Sequence, residues 1–520
     1  MTPSPYQEAI FSCFEKEEHN LLVQACAGSG KTTTLKMLCD RLPRHTSALA
    51  LCFNKVTAQE FGRKLPGFVD ARTIHSLGFR ILRENGNVVV DTNKQKALYS
   101  KMFGKPKDGP DREARKAVLQ ISALLRSMAL ETSSLAAVRF LLDEFKPDFD
   151  LMSVRDLTDK CNEFVARCRE ERTKVDFDDM VDHVVHYELR GSEKYDVIMG
   201  DEVQDWNQLQ SEFVRLLAGT PENSSPQVSP ALADLLPGIE EVRPPERPTR
   251  ARLVLVGDRN QSIYAFRGAD VGAMDNLKDR FRCEELPLSV SYRCPRLVVG
   301  EAQEIVGDDI LPHEGSEEGK VEYRGSKRLP DTLRELPDGA MVLCRTNAPL
   351  VPAALTLIRA KRKAVIRGRD IGASLVNYVD QFSRDEEELE EVLPALCEWF
   401  DKKIQKFLRD DAAAAACPLI DQRDCILALA EDCDTATELK SRIRDIFSDD
   451  IQGVVFSSVH RAKGLENPHV VILGPENMPH PMAFKSGGEA AQQEQNLRYV
   501  AVTRSQDVLI YQELPHPGDE

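Results

Sequence analysis

The stretch QACAGSGKTT, residues Gln24–Thr33, decides the fold of this chain. It begins within a compact apolar run, Leu21–Ala25, and leads into sequence of helical character. Two glycines, Gly28 and Gly30, let a backbone wrap closely around phosphate groups with its amides pointing inward. The N-terminus of the following helix would face the same anion. We therefore expect a phosphate-binding loop between a buried strand and a helix, built from Ala27, Gly28, Ser29, Gly30, Lys31, Thr32 and Thr33.

Two side chains of this loop carry the expected chemistry. Lys31 is placed to reach the β and γ phosphates of a nucleotide, and the Thr32 hydroxyl is placed to ligate magnesium. Ala25 stands where the usual pattern has its first glycine. A short pattern also matches by chance, but the strand before it and the helix after it favour a true phosphate site.

An acidic pair follows a second compact strand, in VIMGDEVQD, residues Val197–Asp205. Asp201 at the strand end is suited to hold magnesium, and Glu202 beside it to orient and deprotonate an attacking water. A bare Asp-Glu pair would more often be an ordinary acidic turn. Together with the phosphate loop it indicates hydrolysis of a nucleoside triphosphate, without showing what work the hydrolysis drives.

Apolar runs alternate with helical stretches along the chain, which predicts α/β domains with buried parallel strands. The carboxyl ends of such strands carry the ligand site. In the first part we expect strands at Leu21–Ala25, Ala48–Phe53, Asp196–Met199 and Leu253–Val256. In the second part we expect strands at Ala340–Cys344, Ala364–Arg367, Val454–Ser457, His469–Leu473 and Asp507–Tyr511, and a helix at Ala348–Ala360.

The pattern divides the chain into two domains, each interrupted by helical sequence. The first comprises residues 1–80 and 176–285, with a helical insertion at 81–175. The second comprises residues 286–375 and 450–520, with a shorter helical insertion at 376–449. Thr220–Thr249 is rich in Pro, Ser and Glu and is expected to form an exposed loop.

Composition limits the class of protein without identifying it. The longest apolar runs are far shorter than the ~20 residues of a membrane span, and the first 20 residues lack the pattern of a secretion signal. Thirteen cysteines without a CxxC pair favour neither a disulfide framework nor a zinc cluster, so we expect a cytoplasmic protein. The net charge of −16 argues against non-specific coating of DNA but does not exclude a local DNA-binding groove.

Eight further motifs occur in order and together resemble superfamily 1 DNA helicases of the UvrD/Rep/PcrA type, with F-box DNA helicase-like features in ALCFNK. They are Gln7 in SPYQ, LCFNKVTAQEF (Leu51–Phe61), TIHSLGF (Thr73–Phe79), DFDDM (Asp176–Met180), VGDRNQSIYAFRGA (Val256–Ala269), SYRCP (Ser291–Pro295), SVHRAKGLE (Ser458–Glu466) and EQNLRYVAVTRS (Glu494–Ser505). The resemblance implies two RecA-like P-loop NTPase motor domains, each with a helical insertion. It also implies ATP and Mg²⁺ as cofactors.

The resemblance further implies a role for each nucleotide-site residue. Gln7 would read adenine, Tyr292 would stack on it, and Glu466 would contact the ribose or the polar edge of the nucleotide. Gln261 would sense the γ phosphate, while Arg293 and Arg504 would act as arginine fingers that stabilise the charge of the transferring phosphoryl group.

On the DNA side, Tyr264 and Phe266 are candidates for stacking on bases, although either ring could instead pack inside its domain. Backbone or base contacts are implied for Phe53, Asn54, Lys55, Thr73, His75, Arg267 and His460. Both histidines could equally be buried, hydrogen-bonded residues.

The implied function is ATP-driven movement along single-stranded DNA with strand separation at single-strand/duplex junctions. QSIYAFRGA indicates 3′→5′ movement, because superfamily relatives that move 5′→3′ usually lack it. Two alternatives stay open: a translocase that strips proteins without unwinding, and an ATP-dependent switch subunit of a repair or defence complex. We expect a monomer, which would be nucleoid-associated if the protein is bacterial. We expect no membrane partner, and the implied function is compatible with a protein partner in a repair, replication or defence complex.

Overall fold

A computed structural model describes residues 3–16, 19–52, 54–107, 109–145, 152–219, 250–264, 272–383, 387–409, 413–449, 453–481 and 488–515. Phe53, Phe266, Arg267 and the predicted loop Thr220–Thr249 lie outside the described residues. By its internal contacts the chain forms two compact units, residues 1–26 with 30–289 and residues 27–29 with 290–520.

The first unit is built on a six-stranded parallel sheet in the order β3-β2-β6-β7-β1-β8. Its strands are β1 Asn20–Ala25, β2 Ala48–Cys52, β3 Val69–Thr73, β6 Val197–Asp201, β7 Arg252–Gly257 and β8 Cys283–Leu288. The helices around it are α1 Pro5–Lys16, α2 Lys31–Arg41, α3 Lys55–Lys64, α4 Ile74–Asn85, α9 Asp179–His186, α10 Gln208–Ala218 and α11 Ala273–Phe281.

Alternation along the central strands gives this sheet two apolar faces. In β1, Leu22 belongs to one buried cluster, whereas Leu21 and Val23 belong to another. In β7, Leu253 and Leu255 point to the first face and the residues between and after them point to the second. Successive side chains of a strand point to opposite faces, so the sheet is covered by helices on both sides.

The helical insertion of the first unit has its own core. It contains α5 Lys94–Phe103, α6 Gly109–Ser127, α7 Leu135–Phe145 and α8 Val154–Glu170, flanked by the paired short strands β4 Val89–Val90 and β5 Lys174–Val175. Buried side chains from these helices, among them Val118, Leu141 and Phe164, form a cluster separate from both faces of the sheet.

The second unit repeats the plan with a parallel sheet in the order β11-β16-β15-β12-β14-β13. Its strands are β11 Lys320–Arg324, β12 Met341–Cys344, β13 Ala364–Ile366, β14 Val454–Ser458, β15 Asn467–Leu473 and β16 Ser505–Gln512, with a separate pair β9 Val290–Ser291 and β10 Leu311–Pro312. Its helices are α12 Arg296–Val306, α13 Leu329–Glu335, α14 Leu350–Arg359, α15 Arg369–Phe382, α16 Leu389–Arg409, α17 Ala413–Ala430, α18 Ala436–Ile446, α19 Val459–Ala462 and α20 Gly488–Val502.

The insertion helices of the second unit share the core of its sheet. One continuous cluster of buried residues runs from Val342 and Phe456 on the strands to Phe400, Ile426 and Ile443 on α16, α17 and α18. This insertion is therefore part of the domain's hydrophobic core, in contrast to the insertion of the first unit.

The predicted α/β fold class is confirmed: both units carry parallel sheets, as expected of RecA-like motor domains. The domain limit placed at 285–286 falls inside β8, which pairs along its length with β1. Because those pairs belong to the first sheet, the first unit continues to Ser289. Among the described residues, no helix is long and apolar enough to cross a bilayer.

A glycine in β6 allows one of the largest buried side chains to pack. A Cβ built on Gly200 would lie 2.6 Å from Cη2 of Trp206, whose side chain is buried. We expect Gly200→Ala to lower the free energy of unfolding by about 1–3 kcal/mol through overpacking. Urea denaturation followed by circular dichroism measures this loss. Gly67→Ala is the control, since a Cβ there meets nothing within 4 Å, and equal midpoints for the two variants would contradict the packing argument.

Candidate functional site

The phosphate loop adopts the backbone that its glycines predict. Gly28 and Gly30 have φ angles of 73° and 81°, and Gly30 is the N-cap of α2. The amide of Thr34 donates to the Gly30 carbonyl at 2.8 Å, which closes the first turn. Thr32 and Thr33 lie half-buried in that turn, and Ala27 and Ser29 are buried in the loop. The free amides of the first helical turn are the groups that bind a phosphate.

The parallel order of the sheet brings the predicted acidic pair to the loop. β1 and β6 both pair with β7, so their carboxyl ends open at the same edge. Lys31 Nζ lies 2.8 Å from Glu202 Oε1, and the Lys31 side chain is 12% exposed. Glu202 has a φ of 54°, a left-handed conformation that costs energy for a side chain with a Cβ and is typical of functional sites.

A hydrogen-bonded chain continues from this ion pair to Gln261. Glu202 Oε2 accepts from Gln204 Nε2 at 2.5 Å, and Gln204 Oε1 accepts from the Asp258 amide at 3.0 Å. Asp258 Oδ2 in turn accepts from Gln261 Nε2 at 2.6 Å. Five residues, beginning with Lys31, thus connect the phosphate loop to the segment that follows β7, with the backbone amide of Asp258 as one of the links. Sequence reasoning missed Gln204 and Asp258, although both stand inside the quoted motifs.

One cation faces three carboxylates in this buried site. Burial raises the pKa of Asp201 to about 7, and the charge of Glu202 adds to the rise while Lys31 opposes it. Burial also raises the pKa of Asp258 to about 6, against the opposing charge of Lys31. Burial by itself lowers the pKa of Lys31, but the charges of Glu202, Asp258 and Asp201 outweigh it and the net shift is upward. The site carries a surplus of negative charge that favours an added cation.

The donor set fits magnesium bound together with a phosphate substrate. Among the described residues, no group of three or more His, Cys, Asp or Glu side chains is arranged to hold a metal by itself. Magnesium, however, is commonly held by one or two carboxylates, with substrate phosphates and water as the other ligands. Asp201 and the Thr32 hydroxyl are the residues that would supply protein ligands here.

Gln7 lies beside the phosphate loop in a fixed orientation. It is 6% exposed, its Oε1 accepts from the Ser4 amide at 3.0 Å, and its Nε2 donates to Thr34 Oγ1 at 2.9 Å. The helix that follows the loop thus holds the side chain for which adenine recognition is predicted.

Four DNA-contact candidates of the first unit, Asn54, Lys55, Thr73 and His75, lie at the other half of the same sheet edge. Asn54 caps α3 by accepting from the Thr57 amide at 2.8 Å, and Lys55 beside it is exposed. Thr73 caps α4 through reciprocal bonds with Ser76. Because β2 and β3 are neighbours and pair Cys52 with Thr73, these two helix starts lie side by side. The sheet order places them beyond β6, away from β1 and β7.

His75 and an unpredicted aromatic residue form a pair at this edge. His75 is half-buried, burial lowers its pKa against the charge of Asp178, and its ring meets Phe177 edge to face at 6.5 Å. Phe177, in the turn before α9, is 59% exposed. Sequence reasoning could have found Phe177, because it is the aromatic residue of the quoted motif DFDDM. Tyr264, the last described residue of its segment, is half-buried.

In the second unit, three predicted nucleotide-site residues lie in one region. Arg293 Nε is 2.5 Å from Glu466 Oε2, and Arg293 Nη1 donates to the Thr503 carbonyl at 3.4 Å. Arg504 is buried and donates to the carbonyls of Val500 and Leu465 at 2.8 and 3.0 Å.

Two further candidates of this unit differ in exposure. Tyr292 is 48% exposed and its ring lies 4.8 Å from that of His313, so one face remains available for stacking. His460 is half-buried on the short helix α19 that follows β14.

Two family models match the chain. The UvrD/REP helicase N-terminal domain matches residues 5–282, and the UvrD-like helicase C-terminal domain matches residues 313–513. The chain is 27% identical to a probable DNA helicase II homolog of Mycoplasma pneumoniae over 55% of this chain and 40% of that protein. It is 22% identical to the ATP-dependent DNA helicase PcrA of Staphylococcus aureus, over 95% of this chain and 81% of that protein. Identity to the ATP-dependent DNA helicase UvrD1 of Mycobacterium leprae is 26%, over 55% and 37% respectively.

The geometry predicts that Lys31 dominates phosphate binding. Lys31→Ala removes charge-assisted bonds of about 1.5–3 kcal/mol, so we expect the Kd for a nucleotide to rise about 10- to 100-fold. Titration with a fluorescent ATP analogue and Mg²⁺ measures this change. Lys36→Ala, which removes an exposed lysine of the same helix, is the control. Equal affinities of the two variants would contradict the assignment of the loop.

Proposed function

Because the chain belongs to the UvrD/REP helicase family, we propose that it is an ATP-hydrolysing motor that moves along single-stranded DNA and separates strands at duplex junctions. The two family models cover most of the chain, which supports an enzyme of the ATP-dependent DNA helicase class. The 3′→5′ direction is part of this proposal and rests on the sequence motifs; the cytoplasmic location, which rests on the cysteine pattern, and the monomeric state are parts of it as well.

The observation that carries the proposal is the hydrogen-bonded chain from Lys31 through Glu202, Gln204 and Asp258 to Gln261. One end of this hydrogen-bonded series is Lys31, in the phosphate loop. The other end leads within three residues to Tyr264, a candidate for base stacking. A change at the phosphates therefore has a direct physical route to the DNA side, which a protein that only stores nucleotide would not need.

The same contacts suggest how hydrolysis begins. Lys31 is paired with Glu202 at 2.8 Å, so Glu202 is not available as a base in this state. We infer that Lys31 exchanges the Glu202 carboxylate for phosphate oxygens when the substrate enters. Glu202 is then able to orient a water molecule and accept its proton. Magnesium held by Asp201 and Thr32 would supply charge stabilisation on the phosphates.

The DNA contacts of the first unit are proposed to lie at the β2–β3 half of the sheet edge. Asn54, Lys55, Thr73 and His75 are brought together there, and Phe177 adds an exposed aromatic ring. An aromatic face beside polar and cationic groups suits single strands, since stacking on a base is tolerant of sequence and contributes about 1–3 kcal/mol per base.

The first test is ATP hydrolysis with and without single-stranded DNA. We expect strong stimulation by single strands in the native protein and a fall of about 10²–10⁴-fold in Glu202→Gln, because the variant lacks the general base. Nucleotide binding by this variant should persist. Glu163→Gln, at an exposed position of the helical insertion, is the control. Hydrolysis that no nucleic acid alters would contradict the motor and favour an ATP-dependent switch.

The direction of movement is tested with duplexes that carry one single-stranded tail. We expect strand displacement from a 3′ tail and little from a 5′ tail, because the motor must load on the strand along which it moves. Gel separation of the products measures both. Preference for the 5′ tail would contradict the proposed direction. Stimulated hydrolysis without any strand displacement would instead favour a translocase that strips proteins from DNA.

A further inference from the structure

A buried ion cluster joins the helical insertion of the first unit to the segment that bears Phe177. Lys94 on α5 and Arg126 on α6 are each 2% exposed, and Asp179 at the start of α9 is 0% exposed. Lys94 Nζ lies 2.7 Å from Asp179 Oδ2, and Arg126 Nη1 lies 3.0 Å from Asp179 Oδ1. Arg126 Nη2 also bonds to Asp178 Oδ2 at 3.0 Å. Each oxygen of Asp179 thus receives one cation, and Arg126 holds two consecutive residues.

This arrangement fixes the positions of the charged side chains, although removing their charges from water costs free energy. Burying an ion pair gives little net stability compared with apolar side chains of similar volume. An arginine fork, however, accepts its carboxylates only along set directions, so it specifies one backbone position. Two reciprocal hydrogen bonds also hold the backbone of this turn. The Asp179 amide donates to Asp176 Oδ1 at 3.0 Å, and the Asp176 amide donates to Asp179 Oδ2 at 2.9 Å.

The second end of the segment is fixed by close packing against α4. A Cβ built on Gly78 would lie 2.0 Å from the Met180 carbonyl oxygen, so only glycine allows this approach. The same helix carries His75, whose ring meets Phe177 at 6.5 Å. Phe177 is therefore an exposed ring on a backbone that is held rigidly on both sides.

We propose that Arg126 and Lys94 are positioning residues for single-stranded DNA, which act by holding Phe177 beside His75. The helical insertion is then part of the DNA-binding apparatus of the first unit, although neither cation touches the DNA. The inference rests on the proposed function, because it requires that the protein bind single strands at this edge.

The experiment measures the affinity of the full chain for a fluorescent oligo(dT) strand and the melting temperature of each variant. We expect Arg126→Gln to weaken binding about tenfold, the lower end of what one stacked base contributes. Arg126→Lys, which retains a cation for Asp179 but not the fork, should restore part of the affinity. If Arg126→Gln does not fold, the affinity of Arg126→Lys is compared with that of the native protein instead. We expect it to be weaker than the native affinity by less than about tenfold.

The matched control is Arg169→Gln. Arg169 makes a bidentate pair with the buried Asp182, at 2.9 and 2.8 Å, but does not contact the residues from Asp176 to Met180. We expect this variant to have a lower melting temperature than the native protein. It should still bind oligo(dT) within about twofold of the native affinity, because the Arg169–Asp182 pair is independent of the segment that bears Phe177.

A double variant separates positioning from general destabilisation. If Arg126 acts through Phe177, then Phe177→Ala combined with Arg126→Gln should bind no more weakly than Phe177→Ala alone. Additive losses, or equal losses in the Arg126 and Arg169 variants, would overturn the inference and leave the cluster a purely structural one. Failure of the native protein to bind oligo(dT) would instead overturn the proposed function itself, and this inference with it.

Discussion

The ion pair between Lys31 and Glu202 is the interaction on which the rest of the site depends. It lies in a buried pocket of charge at the carboxyl edge of a parallel sheet, where one cation serves three carboxylates. The pKa values of Asp201 and Asp258, raised to about 7 and 6, express the cost of keeping this negative charge away from water. A site with such a surplus favours an added cation such as magnesium, which would also offset the charge of an incoming phosphate group.

The sheet order turns this local chemistry into a coupled site. With the order β3-β2-β6-β7-β1-β8, the phosphate loop, the acidic pair and Gln261 follow three adjacent strands, and Asn54, Lys55, Thr73 and His75 follow the next two. Both sets therefore share one edge of one rigid layer. The two helical insertions differ in how they join this plan: the first has a core of its own and is joined to the start of α9 by buried ions, whereas the second shares the core of its sheet.

The second insertion also makes polar contacts with the loop that follows β12 in its own unit. Asp421 on α17 accepts from the amides of Asn347 and Ala348 at 2.8 and 2.7 Å, just after β12. Arg345 in the same loop makes a bidentate pair with Glu494, which lies on the helix α20 that leads to Arg504. The loop after β12 is thus bonded both to the insertion, through Asp421, and to α20, through Glu494.

Central strands were predictable from sequence, whereas three of the four edge strands were not; the fourth, β13, is an apolar edge strand and was predicted. β1, β2, β6 and β7 are buried on both faces and so appear as apolar runs, whose predicted limits differ from the structure by one or two residues. β3, β8 and β11 are edge strands with polar residues, as in VDART and KVEYR, and none of them was predicted. The lost signal has a physical origin, because an edge strand has water on one side and needs no continuous apolar sequence.

The sequence by itself determined the chemistry: the phosphate loop, the acidic pair, the ordered motifs and hence the family, since these depend on residue types at short spacing. Only the tertiary structure decided which side chains meet. Gln204 and Asp258 became links between Lys31 and Gln261, and Phe177 became a partner of His75. Several of these contacts join residues far apart in the chain, as Gln204 and Asp258 are. The order of strands in the sheet, set by packing of the whole domain, brings the carboxyl ends of those strands to one edge.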